Sequence, residues 1–232
     1  MKPVARVRRR LVLVGTAAVL SVIHASCVLI PASKRALSVL KNRTAIPAVA
    51  DFDPFATLEA MLQPGDDTGR WSDAKAARIQ GYVVAVRQAG IESANRFSLT
   101  RRDTHIEVAL RRDAPPKERM ILEVTPPMRD WAKARGVDWS AETLERTLPG
   151  RMARFEGWLL FDSEHGDESE NTYPGGDDNW RATAWEGHPI TAITIVDGPG
   201  AAAPLGAAGG FSNDRKYSGP VRDTRTLATQ GE

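Results

Sequence analysis

Ten ionisable side chains stand where an apolar run meets a turn or alternates with polar positions, and together they form the candidate site. Asp103, His105 and Glu107 alternate with Thr104, Ile106 and Val108, and Glu123 lies in the next apolar run. Asp162, Glu164 and His165 follow 157–161, and Arg181, Glu186 and His188 punctuate 180–189. Imidazole and carboxylate together suit zinc, manganese or iron, and an open coordination position could activate water. A metal reading takes Asp103, His105, His165 and His188 as ligands, with Asp162 or Glu164 in support. Their spacing matches no ligand motif of the His-Glu-x-x-His kind. The plainer reading makes His105 a strand residue paired across to a carboxylate. It leaves His188 to set a bend before Pro189, and makes the acidic stretch around Pro174-Gly175-Gly176 a solvated turn.

Other chemistries find less support. Cys27 is the single cysteine and lies in the N-terminal apolar run, so the globular part has no thiolate nucleophile. No serine stands in a Gly-x-Ser-x-Gly elbow. Trp158, Trp180 and Trp185 could stack bases, but their neighbours are Asp and Glu, so packing or edge-covering roles are expected and nucleic acid is not.

Five strands must position these groups. They are expected over 79–87, 103–111, 119–125, 152–162 and 180–196. The second has a clear period of two, and the fifth is broken at Gly187-His188-Pro189. Gly81 reads as a bend or bulge. Pro126-Pro127 ends the third strand, and helical material follows to Leu148, with Ser140 as N-cap and Trp139 and Leu144 as a staple. Three strands, a helical segment and two more strands is the chain order of the OB-fold. The expected class is therefore mainly β, a five-stranded OB-like Greek-key barrel preceded by one N-terminal hydrophobic helix. An open α+β sheet with the same elements is the rival. Thr104, Ile106, Val108 and Leu110 should face the barrel, turning Asp103, His105 and Glu107 outward onto the usual ligand surface. Two loops flank it: a basic one over 88–102, with Arg96, Arg101 and Arg102, and an acidic one over 163–179.

The residues Gly157, Phe161-Asp162, Glu164-His165, Trp180-Arg181-Ala182-Thr183, Trp185-Glu186 and His188-Pro189 carry a resemblance to a family of small, uncharacterised bacterial domains. Glu92, Asn95 and Asp103-Thr104-His105-Ile106-Glu107 match its front half. The resemblance covers residues 77–196 and implies an OB-like strand pattern. It brings no activity with it. Gly187 stands where the family pattern has an aliphatic residue, a departure expected to loosen the bend before His188.

The flanks differ from this middle. Residues 1–74 carry 10 Lys/Arg against 6 Asp/Glu, while 75–197 carry 17 against 20. The folded part is thus mildly acidic, which weakens phosphate-backbone binding. Residues 11–32 contain no Asp, Glu, Lys or Arg and would span ~33 Å as a helix, about a bilayer core. Arg6, Arg8, Arg9 and Arg10 precede the run, as for a signal anchor with a cytoplasmic N-terminus. A cleaved signal peptide, a lipobox ending at Cys27 and a buried helix remain alternatives. The expected organisation is an anchor or signal over 1–32, a tether with a short helix started by Asp53-Pro54 over 33–74, the OB-like domain over 75–197, and a disordered tail over 198–232.

These readings converge on a non-catalytic binding or interaction module without a cofactor. It would be held by residues 11–32 as a single-pass protein of the cytoplasmic membrane and face the periplasm or exterior, or be secreted after cleavage. The partner would be a small polar ligand, an envelope component or a protein. The alternative is a metal-dependent hydrolase, acting on phosphodiesters, that uses the carboxylate–histidine cluster.

Overall fold

A computed structural model describes residues 32–91 and 98–197. Five strands close into a barrel: β1 (Ala76–Gln88), β2 (Thr104–Ala109), β3 (Met120–Val124), β4 (Met152–Phe161) and β5 (Trp185–Ile195). Neighbours around the wall run β1-β2-β3-β5-β4. All pairs are antiparallel except β3 with β5, where Ile121 meets Glu186 and Leu122 meets Gly187 in parallel. The expected strands are all present, and the fold is mainly β. Leu110, expected inside, lies beyond the end of β2 and is exposed.

Alternation builds the interior. Ile79, Val83, Ile106, Val108, Leu122, Phe155 and Leu159 are buried and join one apolar cluster. Between β3 and β4 lie two helices, α3 (Pro126–Lys133) and α4 (Ala141–Thr147). Pro126 and Pro127 occupy the first turn of α3, where a missing N–H costs nothing. Ser140 caps α4, its Oγ accepting from the Thr143 N–H at 3.3 Å, and Trp139 and Leu144 are both buried as a staple requires.

The tether expectation does not describe residues 33–74. Helix α1 (Ala32–Lys41) and the short helix α2 (Leu58–Met61) belong to the same compact unit as the barrel. Ala56, Leu58 and Met61 are buried in the barrel's apolar cluster. Phe52 bridges to Ala76 at the start of β1. Arg43 donates to the carbonyls of Asp73, Leu159 and His188. The physical reason is apolar burial: α2 adds Leu58 and Met61 to the barrel's own cluster, against Gly81 of β1. The helix start also lies further along than expected. Thr57 caps α2, while the Asp53 carboxylate accepts from the Phe55 N–H in a local turn and Phe55 itself is exposed.

Two glycines permit close approach. Gly81 pairs regularly with Ala153, and the irregularity in β1 falls between Val83 and Ala85 instead. A Cβ on Gly81 would lie 2.4 Å from Leu58 Cδ2 and 2.9 Å from the Ala109 carbonyl oxygen, so the glycine makes room for α2. A Cβ on Gly157 would lie 2.6 Å from the Pro189 carbonyl oxygen, where the β4–β5 register shifts around the His188–Pro189 bend. The space an aliphatic residue would need at Gly187 is filled by Leu122 Cδ2 and Ile190, so that departure leaves the bend packed.

No helix among the described residues is long and apolar enough to cross a membrane. Except for Ala32, the apolar run 11–32 lies outside the described residues, as do Glu92, Asn95, Arg96 and the 198–232 tail.

Candidate functional site: a buried layer of paired charges

The outward face of β2 and β3 is covered by the chain's own excursion between β4 and β5. Asp103, Glu107 and Glu123 are therefore at most 3% exposed, although alternation turns them away from the barrel interior. The excursion leaves β4 at Asp162, forms a short helical turn over Ser163–Glu168, and returns through Ser169, which bridges to Arg181. Trp180 stacks on the His105 ring, with centroids 6.3 Å apart and planes at 16°, and meets His165 edge-on from another side. Trp180 thus covers a strand face, as expected. The other two tryptophans pack too: Trp185 donates from Nε1 to the Asp67 carbonyl, and Arg43 lies over Trp158.

Under this cover the ionisable groups form a connected chain of contacts. Glu123 sits between two histidines: His105 Nε2 contacts its Oε1, and His188 Nδ1 lies 2.7 Å from its Oε2. His188 Nδ1 is also 3.3 Å from Glu186 Oε2, and its Nε2 is 4.0 Å from Asp103 Oδ2. The other oxygen of Glu186 takes Arg181 Nη1, while Arg181 Nε donates to Ser169 Oγ at 2.9 Å. Arg181 Nη2 stands 3.9 Å from Asp162 Oδ2, which also faces Lys41 Nζ at 3.6 Å and His165 Nδ1 at 2.8 Å.

Burial and charge act in opposition here. Desolvation favours the neutral form of every member, yet the imidazoles of His105 and His188 hold Glu123 well below the usual carboxylate range. Burial likewise opposes protonation of His188, but Glu123, Glu186 and Asp103 outweigh it and push the imidazole up to about 10. Asp162 is depressed against its own desolvation by the His165 hydrogen bond, Lys41 and Arg181. His165 is raised, chiefly by its hydrogen bond to Asp162.

Of the ten expected site residues, Asp103, His105, Glu123, Asp162, His165, Arg181, Glu186 and His188 belong to this chain of contacts. Glu107 lies in an adjoining clamp, with Arg87 Nη1 and Arg119 Nη1 each 2.7 Å from one of its oxygens. Glu164 is exposed on the turn. The outward face expected as a ligand surface is instead a closed layer. The expected metal quartet also divides, because His105 turns to Glu123 and His165 to Asp162. Among the described residues the grouping with metal-ligand geometry is Asp103, Glu123 and His188, whose ligand atoms lie within 4.8 Å of one another.

Four contributors carry no signal in the sequence. Lys41 reads as a charge flanking the apolar run, and Asp67 as a turn residue. Asp67 is fully buried and accepts from Thr183 Oγ1 at 2.7 Å and the Ala184 N–H at 2.9 Å, pinning the approach to β5. Arg119 and Ser169 are equally silent. Of the expected basic loop, Arg101 pairs with Asp130 of α3, and Arg96 lies outside the described residues.

Open clefts lie beside this layer. One of about 630 Å³ is lined by Gln88, Thr100, Arg129, Lys133, Asp138 and Trp139. Another of about 380 Å³ is lined by Leu62, Pro64, Leu110, Lys117, Glu170 and Ala182. Neither includes any of the ten. Comparison with protein-family models, curated proteins and solved structures gives no match to this chain.

Proposed function

We propose that the chain is a non-catalytic binding module on an OB-like Greek-key barrel, taking a small polar ligand at its loop rim. The wall order β1-β2-β3-β5-β4, with helices between β3 and β4, supports the OB-like assignment. One observation carries the binding reading: the 630 Å³ cleft beside the first loop is within the usual range for small-ligand sites and is lined by charges of both signs. Arg129, Asp130, Lys133 and Asp138 line it, a setting for a small ligand that carries charge. The hydrolase reading needs a metal position open to substrate, and Asp103, Glu123 and His188 are each at most 1% exposed. The apolar run 11–32 behind its arginine cluster supports a membrane anchor, with the barrel outside the cytoplasm.

The test has two arms. In a thermal-shift screen of carboxylate-, ammonium- and sugar-bearing small molecules, at least one should raise the melting temperature of the full chain, and Lys133→Ala should remove that rise. With bis(p-nitrophenyl) phosphate and manganese or zinc, no turnover above buffer is expected. Turnover that disappears in Asp103→Asn would replace the binding module with the hydrolase. Fractionation and external protease on spheroplasts check the location: the chain should pellet with membranes and be cleaved beyond the anchor.

A further inference from the structure

We infer that Asp103, Glu123 and His188 form a buried structural site for one divalent transition-metal ion of the zinc or manganese class, tying β2, β3 and β5 together. The placement follows from the topology. Asp103 immediately precedes β2, Glu123 lies in β3 opposite His105, and His188 sits at the bend of β5, the strand that closes the barrel in parallel against β3. The neighbouring β2–β3 pair and the far-downstream β5 therefore bring these three side chains together. The set is one imidazole and two carboxylates, the N/O chemistry that zinc, manganese and ferrous iron accept.

Two further observations separate this cluster from an ordinary ion-pair network. His188 is fully buried, and its Nε2 makes no hydrogen bond. That nitrogen faces Asp103 Oδ2 at 4.0 Å, too far for a hydrogen bond but close to twice the ~2.0–2.1 Å of a zinc–nitrogen or zinc–oxygen bond. A tetrahedral ion with such bonds sets its ligand atoms roughly 3.3 Å apart, so a side-chain shift of under ~1 Å brings both onto it. Glu123 Oε2 lies 2.7 Å from His188 Nδ1 as an ion pair without the alignment of a hydrogen bond. Buried polar atoms without a hydrogen bond are uncommon, and an ion is one of their standard explanations. Glu186 Oε2, 3.3 Å from His188 Nδ1, orients the imidazole by accepting its other N–H, the outer-shell role that fixes the tautomer of a ligating histidine. With every ligand buried, the ion would hold the strands together. This inference is independent of the small-ligand reading, which concerns a different cleft.

The experiment uses the full chain in detergent, stripped with EDTA, dialysed, and offered zinc chloride or manganese chloride alone. Metal analysis should return about one ion per chain, and the melting temperature should rise over the stripped protein. Asp103→Asn is nearly isosteric and should lower the affinity at least ~100-fold, the upper end of the loss seen when only an outer-shell partner is removed. Glu123→Gln should do the same, and His165→Asn should retain the ion. No retained metal and no thermal shift in folded wild-type protein would overturn the site. So would binding that survives Asp103→Asn and Glu123→Gln, or binding lost in His165→Asn, since either locates the ion elsewhere. If Glu123→Gln does not fold, the wild-type stoichiometry and Asp103→Asn still decide.

Discussion

The barrel interior and the layer under the β4–β5 excursion are equally buried but are held by different physics. Ile106 and Leu122 on one side of the wall, and Arg181 and His188 on the other, are all fully buried. Inside, each side chain contributes through the apolar area it removes from water, so losses add. Outside, each charge is tolerable only because its partner is present, so losses depend on what remains. Removing both partners of a pair should therefore cost about the sum of the two single losses in the interior and clearly less than that sum in the outer layer.

The largest expected effect comes from Arg181→Met. It leaves Glu186 and Asp162 buried with less compensation, and should cost about 3–5 kcal/mol in urea unfolding. The double variant Arg181→Met/Glu186→Leu should recover a substantial part of that loss. If the double variant is as unstable as the sum of its singles, the layer behaves like the interior and the comparison fails.

Next in size is Leu58→Ala, expected to cost about 2–5 kcal/mol, because Leu58 fills the space left by Gly81 and the interior continues into α2. A loss below ~0.5 kcal/mol would return residues 33–74 to the status of a tether. Gly157→Ala should cost about 1–3 kcal/mol by forcing its new Cβ against the Pro189 carbonyl, a backbone atom that cannot swing away. Equal melting curves for variant and wild type would show the bend to be loose.

A smaller effect is set by pH at the rim, where His165 is only partly covered. Its folded value lies above the ordinary 6.5, so its contribution is complete below that and fades as pH rises through the raised value. Asp162 behaves oppositely: its contribution is complete above the ordinary 3.8 and fades as pH falls through the lowered value. His165→Asn should flatten the alkaline limb of the stability curve by about 0.2–1 kcal/mol, typical of partly exposed pairs. An unchanged limb would mean the Asp162–His165 contact adds nothing to folding. Smallest of all, Glu164→Gln should fall within ~0.5 kcal/mol of wild type.

Legibility in the sequence follows the range of the interaction. The period of two over residues 104–108 identified β2, and Ser140 identified the start of α4, because a strand's alternation and a helix cap are decided by neighbours. The candidate residues were also readable, since ionisable groups at the ends of apolar runs stand out. Their burial was not. Asp103, Glu107 and Glu123 look like a solvated face, and the cations that neutralise that layer, from Lys41 to Arg181, approach from elements far away in the chain. Asp53-Pro54 shows the opposite error: a strong local signal formed only a turn, and Thr57 caps the helix that actually joins the barrel's cluster.

The Asp67 contacts also bear on the order in which the molecule assembles. Two of the groups that satisfy its carboxylate, Thr183 Oγ1 and the Ala184 N–H, lie 116 and 117 positions downstream, near the end of the described chain. During synthesis the segment carrying Asp67 emerges long before those partners exist, and the parallel seam between β3 and β5 must wait for the same residues. Loops of that length close slowly, and chains rich in such distant pairings fold slowly. The first part of the body to be made is therefore among the last to be fixed. Until then its apolar turn at Leu58 and Met61 is exposed, and that is the interval in which the nascent protein is most open to chaperones, proteases and aggregation.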